Sequence, residues 1–112
     1  MAKLNWQWLS LSQTCQHLKS GQASVMQLTQ EMLERAQALE NQTHCYASLL
    51  ADEALAAAQA LDQKQAAGEP LGLLHGVPIG IKDLLYIQGV PTASGTLVMK
   101  DFRPPYSATV VN

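Results

Sequence analysis

Leu74-His75-Gly76-Val77-Pro78-Ile79-Gly80-Ile81-Lys82-Asp83 is the stretch that decides how this chain is read. From Leu73 to Asp83 the run is apolar, interrupted only by His75 and Lys82, with Gly and Pro close by. Its length and those flanks predict a buried strand rather than a helix. Strand alternation then sets Ile79, Ile81 and Asp83 on one side and Pro78, Gly80 and Lys82 on the other. Lys82 would project over a glycine, with open space beside its stem. Burying an ammonium is costly unless it finds a partner, and desolvation favours the neutral amine that a general base requires. A second reading stands beside the first: a lysine at the strand end that reaches water or pairs with Asp83. The residues alone leave both open.

Other chemistries suggested by the neighbourhood fail on spacing. Gly76-x-x-x-Gly80-x-Lys82 departs from a phosphate-binding loop in its glycine spacing, and Asp83 stands where Ser or Thr must follow the lysine. Ser94, in Pro91-Thr92-Ala93-Ser94-Gly95-Thr96, lacks the Gly-x-Ser-x-Gly elbow of a nucleophile and reads as part of a polar turn. His75 has no serine or cysteine in a partner motif and reads as a loop-packing residue.

Upstream, helices are expected. Ser10 or Ser12 can cap a short helix through Leu11, Cys15 and Leu18 that ends at Gly21. Ser24 with Gln27 forms a capping-box pattern, followed at helical spacing by Val25, Leu28, Met32, Ala36 and Leu39, with Glu31 and Arg35 as an i,i+4 pair. After a break at Asn41-Gln42-Thr43, Cys45 to Leu50 reads as a short strand. Asp52 then caps a third helix through Ala54, Leu55, Ala58 and Leu61, ending near Gly68. That helix is rich in Ala, so it forms readily but offers a thin packing face. From Glu69 onward come five glycines and all five prolines, a change to loops and short strands. Ser107 reads as the N-cap of an element that is cut short after one turn.

With 112 residues, 47% of them hydrophobic, the chain has the size and apolar content of one small globular domain, while its 14% charged residues fall below the usual quarter. Aromatics are only 5%, so the core must rest on aliphatic side chains. A net charge of -2 without a basic stretch speaks against nucleic acid or an anionic membrane as partner. No signal-like segment or membrane span is read, which makes a cytoplasmic location the expectation. Cys15 and Cys45 fit reduced thiols better than a disulfide, and neither Cys15-Gln16-His17 nor His44-Cys45 has a second ligand pair at zinc spacing. No metal and no cofactor is expected.

The stretch Leu74 to Asp83, followed by Gly89-Val90-Pro91-Thr92-Ala93-Ser94-Gly95, resembles the N-terminal landmark of the amidase-signature family. Ser107-Ala108-Thr109-Val110-Val111 is similar to the family's next helix start, where Asp more often stands first; Ser caps equally well. The specific part of the resemblance is residues 74–95. It implies hydrolysis or transfer at amide C–N bonds by a Ser–cis-Ser–Lys arrangement, with Lys82 at the position of the catalytic lysine. There the lysine acts through the middle serine as base toward the nucleophilic serine, then helps return the proton to the leaving amine.

The family's serines and oxyanion hole belong to a glycine- and serine-rich segment well downstream of the lysine, and no Gly-Gly-Ser-Ser-like run occurs here. The implied fold is α/β: N-terminal helices plus the first strands of a mixed sheet sandwiched between helices, here truncated. Residues 1–112 would be the N-terminal portion of an amidase domain, with 1–68 mainly helical and 69–112 forming the strand and loop region. Three roles follow from this reading. The chain is a fragment inactive alone, a non-catalytic binding or regulatory module, or one half of a split amidase completed by a second polypeptide. An amide substrate is expected only once the missing segment is supplied.

Overall fold

The first two α-helices start where side-chain oxygens meet the first-turn amides. The computed structural model describes residues 4–112. In order it contains a 3₁₀ turn at Trp6–Trp8, α1 at Leu11–Lys19, α2 at Val25–Thr43 and α3 at Ala51–Ala66. The chain divides into two bodies, Met1–Cys45 with Leu49–Pro78, and Tyr46–Ser48 with Ile79–Asn112.

In the first body α1 opens with a reciprocal capping box. The Gln13 amide donates to Ser10 Oγ at 3.2 Å, and the Ser10 amide donates to Gln13 Oε1 at 2.8 Å. α1 closes at Gly21, whose φ of 74° lets its N–H donate back to the Leu18 carbonyl at 3.1 Å. At the start of α2, Gln27 N–H donates to Ser24 Oγ at 3.0 Å. The two preceding amides are met from another helix: Val25 N–H donates to Asp62 Oδ1 at 2.8 Å and Met26 N–H to Asp62 Oδ2 at 2.9 Å. The first-turn donors of α2 are thereby satisfied, and a carboxylate sits at the positive end of the helix dipole.

One turn beyond Asp62, the side-chain amide of Gln65 donates to the Leu18 and Lys19 carbonyls at 2.9 and 3.3 Å. α3 thus holds the beginning of α2 and the end of α1 with two polar side chains. It ends in a Schellman arrangement, with Glu69 N–H donating to Lys64 O and Gly68 N–H to Gln65 O. The core between the helices is Trp6, Leu18, Ala23, Val25, Leu28 and Ala58, with Leu4, Leu9, Met26, Met32, Leu61 and Val77 packed against it. Removing a Leu or Val side chain from water is worth about 1.5–3 kcal/mol, so Leu18, Val25 and Leu28 supply much of the stabilisation.

The second body is held by hydrogen-bonded loops. Residues 86–92 and 102–108 run antiparallel: Ala108 N–H donates to Tyr86 O at 2.9 Å, Gly89 N–H to Pro104 O at 3.0 Å, and Thr92 N–H to Phe102 O at 2.9 Å. Gln88 N–H donates to Ser107 Oγ at 3.0 Å. Tyr86 lies against Phe102 and Tyr106, with ring centroids 5.6 and 5.9 Å away. Pro104 is fully buried.

Several sequence expectations need correction. Among the described residues there is no regular strand. Leu73–Asp83 begins with turns, His75 N–H donating to Gly72 O and Val77 N–H to Leu74 O, so its amides are spent locally rather than across a ladder. The antiparallel pair fails to become a sheet because Pro91, Pro104 and Pro105 have no N–H to donate. Cys45–Leu50 is irregular, following a left-handed His44 (φ 46°) that caps α2. The third helix starts at Ala51 with Leu50 at its N-cap, and Asp52 lies in the first turn instead. Gln27 sends its side chain to Glu31 at 3.4 Å, leaving the second capping box one-sided. Arg35 donates to Gln7 Oε1. Ser107, read as a helix cap, serves the Gln88 amide; only one turn follows it.

Replacing Asp62 with Ala orphans two helix-start amides and should lower stability by about 1–3 kcal/mol. Asp62→Asn keeps one acceptor oxygen and should lose less. Urea melts followed by helical circular dichroism measure both, and equal midpoints for wild type and Asp62→Ala would contradict the capping role.

Candidate active site

Lys82 stands on an exposed turn, not in a buried strand. Its carbonyl accepts the Leu85 N–H at 2.9 Å, closing a four-residue turn. The next residue ties that turn to the second half of the motif. Ser94 N–H donates to the Asp83 carbonyl at 3.1 Å, and Ala93 N–H donates to Asp83 Oδ1 at 3.3 Å. The segment 79–83 and the loop 89–95, quoted above as two halves of one pattern, therefore meet at Asp83 inside the second body.

The loop itself is a tight turn. Thr96 N–H and Thr96 Oγ1 both donate to the Ala93 carbonyl, at 2.9 and 2.8 Å. Between them Ser94 and Gly95 adopt φ of 50° and 70°. Two successive left-handed residues are the mark of a type I′ turn. Gly95 takes this conformation without cost; Ser94 does not, and needs surroundings that hold it there. Ser94 is thus a turn residue, as its sequence context predicts. At the other end of the loop, Arg103 Nη1 donates to the Gly89 carbonyl at 2.6 Å.

The first half of the motif divides between the bodies, with Leu74 to Pro78 in the helical one. His75 is buried there at 5% exposure, and its Nε2 has no hydrogen-bond partner among the described residues. Gly76 explains itself by contact. Its φ is 75°, and a Cβ built on it would lie 2.4 Å from Val25 Cγ2 and 3.0 Å from Val25 Cγ1. Gly80 is different: nothing lies within 4 Å of its would-be Cβ, leaving room near Lys82 for another group. The two glycines share a motif for unlike reasons.

Chemically, the arrangement presents a primary amine on a turn whose backbone is pinned at the Lys82 and Asp83 carbonyls, with open space at Gly80. Among the described residues, no three His, Cys, Asp or Glu side chains come together as metal ligands. Cys15 is half-buried and Cys45 exposed, both as free thiols. No described helix is long and apolar enough to cross a membrane. Sequence reasoning missed Asp83 as the link between the motif halves, because its partners lie ten positions away in a loop with no periodicity.

The Amidase family model matches residues 27–112. One of the subunits of the glutamyl-tRNA(Gln) amidotransferase from Salinispora tropica is 43% identical over 91 residues, covering 81% of this chain and 18% of that protein. A bacterial aryl acylamidase belonging to the amidase-signature enzymes superposes with a TM-score of 0.82 at 28% identity, over 91% of this chain and 21% of that one. A structure described as an unexpected vestigial protein complex, revealing the evolutionary origins of an s-triazine catabolic enzyme, gives a TM-score of 0.87 at 27% identity. It covers 92% of this chain and 23% of that one. The chain thus spans about a fifth of the length of the proteins it matches. These solved neighbours have α/β folds, whereas the described residues here are helical with irregular loops.

The contrast between the two glycines can be measured. Gly76→Ala combines a left-handed backbone with a clash against Val25 and should cost about 2–4 kcal/mol. Gly80→Ala should change stability by less than about 0.5 kcal/mol. Similar losses for the two variants in urea melts would refute the contact assignment.

Proposed function

The chain belongs to the amidase-signature family, and from that premise we propose that it supplies the lysine arm of chemistry at amide C–N bonds. Residues 1–112 are, on this reading, the N-terminal portion of an amidase domain. Lys82 is its catalytic base, working with two serines that a segment outside these residues provides. The observation that carries the reading is the pattern 74–83 with 89–95, lying inside the region matched by the family.

The chemistry runs as a relay. The neutral Lys82 amine takes a proton from the bridging serine, which takes one from the nucleophilic serine as its oxygen attacks the amide carbon. The tetrahedral intermediate collapses, the C–N bond breaks, and the proton travels back through the bridging serine to the departing amine. Water, or an acceptor amine in a transfer reaction, then attacks the acyl-serine with the same lysine as base. Covering Lys82 with the serine-bearing segment excludes water from it, the condition under which an amine serves as base. The space beside Gly80 suits such cover.

One relative is named as a subunit of an amidotransferase, which is consistent with action alongside a second polypeptide. The test is complementation. The 112-residue chain is mixed with the serine-bearing remainder of a related amidase, and hydrolysis of an aryl amide is followed. Activity should appear only in the mixture, and Lys82→Ala should lower kcat by about 10²–10⁴-fold. Lys82→Arg should fare no better, because a guanidinium does not give up its proton. An active mixture indifferent to Lys82→Ala would sink the assignment.

A further inference from the structure

We propose that Asp83 is the positioning residue for Lys82: it touches no substrate, but holds the lysine's turn against the Pro91–Gly95 loop. The inference rests on reading Lys82 as the base. It goes beyond the sequence reading, in which Asp83 enters as one possible ion-pair partner for Lys82.

Three observations converge on it. First, two successive carbonyls hold the backbone at Lys82, its own accepting the Leu85 N–H and that of Asp83 accepting the Ser94 N–H. Second, the Asp83 carboxylate reaches the same loop, with Oδ1 accepting the Ala93 N–H at 3.3 Å. Two consecutive amides of the loop thus end on one residue, its main chain taking one and its side chain the other. Third, the loop turns through Ser94 at φ 50°, a conformation that persists only when its surroundings impose it. The bonds to Asp83 from Ala93 and Ser94 are what impose it, together with the Thr96 bonds to Ala93 O.

The carboxylate is suited to this work. An ionised carboxylate accepts only, and a charge-assisted bond from a backbone N–H is stronger than a neutral one. Asn at the same place keeps the acceptor oxygen and the shape. Ala removes both, leaving the Ala93 amide without that partner and the lysine's turn tied by main-chain bonds alone.

The experiment uses the 112-residue chain, ¹⁵N-labelled, as wild type, Asp83→Asn and Asp83→Ala. In Asp83→Ala the Ala93 amide should exchange with solvent about tenfold faster, as expected for one lost hydrogen bond. The backbone order parameter of Lys82 should fall from near 0.85 toward about 0.6. Asp83→Asn should stay close to wild type on both counts, and the Leu28 amide of α2 should be unmoved throughout. Unchanged Ala93 and Lys82 signals in Asp83→Ala would overturn the proposal. So would a loss shared by Leu28, since it marks a residue needed for folding in general. In the complementation assay Asp83→Ala should reduce kcat at least tenfold with KM nearly constant, and Asp83→Asn should restore most of it. An inactive wild-type mixture would count against Lys82 as base while leaving the exchange and relaxation results to decide Asp83's role.

Discussion

The Asp62 carboxylate seated on the first two amides of α2 is the constraint on which the helical body depends. An α-helix begins with backbone donors that have no partner of their own, and burying them unpaired is costly. Here the partner comes from α3, so α2 is satisfied at its start only when α3 lies across it. That placement brings Gln65 to the end of α1 and turns Ala58 into the core. It also fixes Val25, whose amide is held by Asp62 and whose side chain is buried at 2% exposure against Gly76. A polar contact between helix ends thereby determines where the first part of the motif docks.

The second body obeys a different rule. With prolines at 91, 104 and 105, its paired segments cannot exchange a full ladder of hydrogen bonds, and they settle for single bonds at intervals. What a sheet would achieve by repetition is achieved by particular residues: Asp83 for the loop at 93–94, Ser107 for Gln88, Arg103 for Gly89. Each of these side chains stands in for a missing backbone partner, so substitutions there act locally rather than being averaged over a sheet.

The helices were legible because their signals are local. Ser10, Ser24, Gly21 and Gly68 lie within a few residues of the ends they define, and the apolar spacing between them is periodic. The Ala-rich third helix was legible as a helix but not as a clasp, since Asp62 and Gln65 act on residues far off in sequence. The expected strands are absent for the converse reason. An apolar run from Leu73 to Asp83 records that a segment suits a sheet, yet a strand exists only with a partner to accept its hydrogen bonds. The same limit explains Lys82, whose exposure depends on what lies over it rather than on its apolar neighbours in the sequence. Residues 74–95 nevertheless carried enough identity to point to the family, and the match over residues 27–112 bears that out.

The hydrogen bonds that knit each body span modest stretches of chain: 37 residues from Val25 to Asp62, 47 from Leu18 to Gln65, and 10 to 22 between the paired segments of the second body. Closing loops of such lengths costs little extra entropy for each added residue, and folds dominated by near neighbours form quickly. A ribosome adds roughly 5–20 residues each second, far slower than a helical hairpin assembles. Once Gln65 has cleared the exit tunnel, the clasp across α1 and α2 can therefore close while the lysine turn, 17 residues behind it, is still inside the tunnel. Chain growth itself then sets the order of events, with the Asp62 and Gln65 clasp closed before the loop that carries the amine emerges.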